Sequence, residues 1–126
     1  EALLAIHRSF LKPVTALMAQ VPVHGMAHIT GGGFVDNIPR VLPETCTAVI
    51  DRSSWSVPTL FTFIERQGRV DRDEMYRVFN MGIGFCVIVR QKDASAAMAL
   101  LSKMRQAPVL IGMIEKGSRK VIYRDS

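Results

Sequence analysis

Apolar positions recur at i, i+3, i+4 and i+7 through Val14, Leu17, Met18 and Val21, the stripe of one amphipathic helix over residues 13–20. Pro13 suits its first turn and Pro22 stops it. The period then drops to two. Val23, Gly25, Ala27 and Ile29 point one way and His24, Met26, His28 and Thr30 the other, which predicts a strand over 23–29 with both histidines on one face. Gly31, Gly32 and Gly33 interrupt the alternation, and Phe34, Val35, Ile38, Val41 and Leu42 return to helical spacing. That helix is expected to begin no earlier than about Val35, because Pro39 has no N–H to donate and fits only a first turn; Pro43 ends it.

Further along, Thr45 to Asp51 reads as a strand, and Pro58 opens a helix with Val57, Leu60, Phe61 and Ile64 inward and Gly68 as its left-handed stop. Asp71 and Glu74 are spaced as an acidic capping box for a helix that turns Met75, Val78 and Phe79 inward. Phe85 to Val89 is apolar throughout, which predicts a central strand. Asp93 caps a helix carrying Ala97, Leu100, Leu101 and Met104, and Val109–Ile114 with Lys120–Tyr123 is expected to form a terminal hairpin turning at Gly117 and Ser118. This order predicts a mixed α/β fold, a sheet covered by helices, in a single domain over residues 1–126. Residues 1–11 are apolar and poorly punctuated, and Glu1 to Leu4, without a methionine or cap, reads as a cut or processed end.

Composition narrows the function. The chain has 126 residues, 48% of them hydrophobic, enough for one ordinary core. No apolar run approaches the roughly 18 residues of a membrane span, and no signal peptide is visible, so a cytoplasmic protein away from membranes is expected. Cys46 and Cys86 both fall in strand-like stretches without CxxC spacing and read as buried thiols, not as a disulfide or a metal site. A net charge of +5 and a pI near 9.7 would suit nucleic acid, a membrane surface or an anionic metabolite. The basic residues are dispersed and often neighbour acids, with no stripe interleaved with aromatics, which favours a solvated surface over a nucleic-acid footprint.

Three glycines in a row lose much backbone entropy on folding, so they imply positive-φ positions or close approach of a ligand or another backbone. Placed between a strand and a helix, their N–H groups would suit an anion such as phosphate. Arg40 could reach that phosphate, and Asp36 and Asn37 could meet a ribose or an amide, although Asp36 reads more simply as helix surface. His24 and His28 mimic the HExxH zinc motif, but Gly25 replaces its glutamate, and four residues along a strand span about 13 Å, too far to chelate one ion. No metal site is expected. His28, two residues before the glycines, is placed to bond a ligand held by the loop, or else is a histidine satisfied within the fold. Phe79 to Gly84 forms a second glycine-containing corner, read equally as helix capping or as a site.

The strings HITGGGFVDNIPRVLP, Ala48-Val49-Ile50-Asp51 with Trp55, and DEMYRVFNMGIG closely resemble the C-terminal domain of the aminoimidazole ribonucleotide synthetases, the phosphoribosylformylglycinamidine cyclo-ligases of purine synthesis, over residues 8 to 115. The resemblance implies a three-layer α/β/α domain with a mixed sheet. It further implies an enzyme that uses ATP and Mg²⁺, bound mainly by an N-terminal domain, to close the imidazole ring of formylglycinamidine ribonucleotide, and that works as a homodimer. His28 would be the active-site histidine. Thr30, Gly31, Gly32 and Gly33 would wall the cleft near a phosphate, while Asn37, Arg40, Asn80 and Gly82 fall at signature positions on the substrate side. The chain departs from the family's Pro-Thr-Arg-Ile-Tyr at Ile6-His7-Arg8-Ser9-Phe10, and it lacks a glycine-rich, acidic N-terminal half. Alone it is therefore expected to bind no cofactor and to be inactive. Related readings are a homologous domain of formylglycinamidine ribonucleotide synthetase, selenophosphate synthetase or thiamine-phosphate kinase, and, from another class, a non-catalytic basic interaction domain.

Overall fold

The computed structural model describes residues 9–124. The apolar start of the chain and most of the departure at 6–10 lie outside the described residues. Five helices and five strands follow in the order α1 (Leu11–Gln20), β1 (Val23–His28), α2 (Gly33–Asn37), β2 (Cys46–Ile50), α3 (Thr59–Gly68), α4 (Arg72–Val78), β3 (Phe85–Val89), α5 (Ala94–Lys103), β4 (Gly112–Lys116) and β5 (Lys120–Tyr123), with 3-10 turns at Pro39–Val41 and Gln91–Asp93. The fold is mixed α/β, as the patterning predicts. Among the described residues the strands form a two-stranded sheet, β1 with β3, and a three-stranded mixed sheet in the order β4, β2, β5.

Contacts divide the described residues into two compact units, residues 9–24 with 87–108 and residues 25–86 with 109–124. In the first, α1 and α5 enclose a core of Leu17, Val21 and Ala97, against which Val23, Val87, Val89, Leu100 and Leu101 pack. The 3.6 period marks Leu17 and Val21 in the first stripe and Ala97, Leu100 and Leu101 on α5, whereas Met18, on the same predicted stripe, is exposed.

The second unit is built on β2. Thr47, Ala48, Val49 and Ile50 are all buried, so β2 is covered on both faces. It runs antiparallel to β4, with Val49 opposite Met113, and parallel to β5, with Val49 opposite Ile122. Two expectations need correction here. The central strand is β2, whereas every residue of β3 is only half-buried. An apolar run of five describes either strand equally well, and burial is decided by what flanks it. The last two strands also do not pair as a hairpin, because β2 lies between them. Their connection wraps the start of β2 instead: the N–H of Gly117 donates to the Thr45 carbonyl, that of Arg119 to the Cys46 carbonyl, and that of Ser118 to Thr47 Oγ1.

Helix ends differ in detail. α2 starts at Gly33, two residues before the expected limit, because Pro39 takes the first position of a separate 3-10 turn and places no demand on α2. α3 is closed by Arg69 at φ 52°, not by Gly68, as Val70 N–H folds back onto the Glu65 carbonyl. At α4, Glu74 does not complete a capping box. Its carboxylate is gripped by both Arg77 Nε (2.9 Å) and Nη2 (2.6 Å), and that hydrogen bonding holds it below the usual carboxylate range. α4 turns Met75 and Tyr76 inward and leaves Val78 exposed.

Candidate functional site

The second unit contains an open cleft of about 300 Å³ lined by Met26, Ala27, His28, Thr30, Asn37, Arg40 and Val41. Each wall follows from local sequence. The alternation of β1 buries Ala27 and Ile29 and turns His24, Met26, His28 and Thr30 outward, which places His28 and Thr30 on the cleft side. The His28 ring lies 6.0 Å from that of Phe85 at a tilted angle. Arg40 enters from the 3-10 turn after α2, and among the described residues it pairs with no carboxylate. Met26 and Val41 supply apolar walls that the site reading missed, although the period-two pattern already puts Met26 beside His28 on the outer face.

Asn37 organises the glycine loop from inside. It is buried, and its Nδ2 donates to the carbonyls of Gly33 (2.7 Å), Thr30 (3.4 Å) and Gly31 (3.4 Å), while its Oδ1 accepts from Thr30 Oγ1 (3.2 Å). These bonds fix which end of the carboxamide is which, since a flipped side chain would set its oxygen against three carbonyl oxygens. Every peptide here is trans, so carbonyls drawn toward Asn37 turn the N–H groups of Gly31, Gly32 and Phe34 the opposite way. Gly32 and Gly33 adopt φ of +93° and +62°. A Cβ on Gly33 would strike the Tyr76 carbonyl of α4, and one on Gly32 would strike the Asp36 carboxylate, whereas one on Gly31 would meet nothing within 4 Å. The carboxylate of Asp36, folded against Gly32, disfavours an anion at that point of the loop.

Asn80 and Gly82, in the corner 80–84, do not line this cleft. Asn80 Oδ1 accepts from Gly82 N–H (2.9 Å), and Gly82, at φ +101°, abuts Pro58. Trp55 Nε1–H donates to the Met81 carbonyl (3.1 Å) and anchors the corner to a ring cluster in which Trp55 lies 5.7 Å from Phe34 and 6.3 Å from Tyr76. Arg52 extends the cluster, its guanidinium 5.1 Å from the Tyr76 ring centre and 4.6 Å from that of Tyr123 and bonded to Asp73 at 2.8 Å. Burial pushes the Tyr123 hydroxyl up to about 12. This network is structural, and the spacing of Trp55, Tyr76 and Tyr123 carries no sequence signal for it.

Other candidates fall away on geometry. Cys46 and Cys86 are free thiols on β2 and β3, and burial pushes Cys86 up to about 12, which leaves it protonated and unreactive at neutral pH. Among the described residues no cluster of three His, Cys, Asp or Glu could hold a metal ion, and no helix is long and apolar enough to cross a membrane. Other arginines pair at the surface, Arg77 with Glu74 and Arg90 with Asp93 three residues away and Arg124 with Glu115, as a solvated surface requires.

Residues 5–125 match the family described as AIR synthase related protein, C-terminal domain. The chain is 48% identical over 116 residues to a phosphoribosylformylglycinamidine cyclo-ligase of Cupriavidus pinatubonensis, covering 92% of this chain and 33% of that protein. A protein of the same name from Chromobacterium violaceum is 47% identical over 116 residues (92% of this chain, 34% of the relative), and one from Neisseria meningitidis serogroup C is 45% identical over the same length and shares. The chain thus spans about a third of the length of the curated relatives it matches.

Proposed function

The chain belongs to the AIR synthase related protein C-terminal domain family, and from that premise we propose that it forms the substrate-side wall of an ATP-dependent cyclo-ligase acting on formylglycinamidine ribonucleotide. The supporting observation is the convergence of His28, Thr30, Asn37 and Arg40 on one cleft, with Asn37 bonded to the carbonyls of the adjoining glycine loop. Arg40 supplies positive charge for an anionic group of the substrate. His28 stands where it can hand a proton to, or take one from, the group undergoing ring closure. The loop and the apolar walls fix the substrate's position, which lowers the entropic part of the barrier to an intramolecular attack.

ATP supplies the activation of the formyl oxygen. The described residues do not fit a Mg²⁺ site, so in this proposal ATP and its metal belong to the remaining two-thirds of a longer enzyme, packed beside this domain, cytoplasmic and dimeric as a whole. A titration of the 126-residue chain with formylglycinamidine ribonucleotide, followed by amide and imidazole NMR, tests the reading. Shifts concentrated at His28, Thr30–Gly33 and Arg40, with no ATP-dependent product from the chain alone, are the expected result. Absence of shifts at millimolar nucleotide would overturn it, and product formation by the chain alone would overturn the division of labour.

A further inference from the structure

We infer that Thr30 reads a hydrogen-bond donor on the ligand, and that the ligand's anionic group is met by Arg40 and not by the glycine loop. The inference rests on the proposed reading of the cleft as a nucleotide site and assigns its two ends. Thr30 has one hydroxyl proton, and that proton is committed to Asn37 Oδ1 at 3.2 Å. Asn37 cannot turn to release it, because its Nδ2 is held by the carbonyls of Thr30, Gly31 and Gly33. What Thr30 Oγ1 has left for the cleft is acceptor capacity.

An acceptor beside a phosphate repels it, since phosphate oxygens are themselves acceptors. The Asp36 carboxylate against Gly32 acts in the same direction. Arg40, lining the same cleft, is the group there that carries five donors and a fixed positive charge. The cleft therefore has an accepting end and a cationic end, and it selects a ligand with N–H or O–H donors at one end, such as an amidine or a ribose hydroxyl, and an anion at the other. Asn37 is a positioning residue in this arrangement: it acts on the ligand only through the orientation of Thr30.

Three variants and two probes test the assignment: Thr30→Val, Thr30→Ser and Arg40→Ala in the 126-residue chain, titrated with formylglycinamidine ribonucleotide and with inorganic phosphate, with the side-chain amide resonances of Asn37 recorded alongside. Losing one hydrogen bond at a partly exposed site is worth about tenfold in affinity. Thr30→Val should weaken the nucleotide about tenfold and leave phosphate within twofold, while Thr30→Ser binds both like the parent. Arg40→Ala should weaken both probes. A Thr30→Val chain that loses phosphate as strongly as nucleotide, with the Asn37 resonances unmoved, would overturn the assignment, as would one that loses neither. A parent chain that binds neither probe would instead overturn the reading of the cleft as a nucleotide site.

Discussion

Two glycine-containing corners, 30–33 and 80–84, punctuate the chain in the same way, yet the structure uses them differently. The first follows β1 and is gathered from inside by one buried carboxamide, which turns the N–H groups of Gly31 and Gly32 away from it, and of this corner Thr30 lines the cleft. The second precedes β3 and is closed from outside by Trp55 and Pro58, with its single side-chain acceptor, Asn80 Oδ1, turned back onto Gly82. A glycine corner thus keeps one side open when its carbonyls are held inward and nothing packs over it. Where neighbouring rings fill that side, the same residues serve packing.

The largest effect expected from breaking this contrast is at Gly33. Alanine there combines a left-handed φ of +62° with a Cβ driven into the Tyr76 carbonyl, a backbone atom that cannot yield without moving α4 against α2. Strain and overpacking together should cost about 4 kcal/mol, read as a shifted urea midpoint with an unchanged slope. Next comes Asn37→Ala, which strips the loop carbonyls of their shared donor and leaves the Thr30 hydroxyl to rotate. About 2 kcal/mol of stability should be lost, together with the hydrogen-exchange protection of Gly33, whose N–H donates to the Thr30 carbonyl, but not of Gly82 and Ile83, whose N–H groups donate to Asn80. Equal loss of protection at both corners would show that they are one cooperative element and that the contrast is false.

How much of this was legible without coordinates follows from the same residues. His28 and Thr30 on one face, and Arg40 just past the next turn, are consequences of period two and of a proline, so the cleft's polar lining could be read from spacing. Asn37 could not be read that way: in a helical pattern an asparagine looks like surface, and only the tertiary fold shows its amide turned inward under three carbonyls. The choice of central strand was equally hidden, since Cys46–Ile50 and Phe85–Val89 are both short apolar runs and differ only in the neighbours the fold gives them. The split of β4 from β5 was hidden for a related reason. Gly117 and Ser118 do make a turn, but its N–H groups bond to β2, an element some 70 positions earlier, and local turn chemistry carries no information about an inserted strand.

A smaller effect is expected at the second corner. Trp55→Phe keeps most of the ring contact with Phe34 and Tyr76 and removes the donor to the Met81 carbonyl, which should cost about 1 kcal/mol and raise exchange at 80–84 alone.

The smallest stability effect should be at Gly31, and it sharpens the comparison most. A Cβ there meets nothing within 4 Å and its φ is not in the left-handed region, so Gly31→Ala should leave stability within about 0.5 kcal/mol, or raise it slightly by stiffening the unfolded chain. The fold gives no steric reason for glycine at that position. If the nucleotide approaches the loop backbone, the added methyl group will weaken its binding while the urea midpoint stays put, and Gly31 will be the one glycine of the three whose absent side chain serves the ligand instead of the fold. If both binding and stability are unchanged, the ligand's contacts end at Thr30 and Arg40, and the N–H of the exposed Gly31 is met by water.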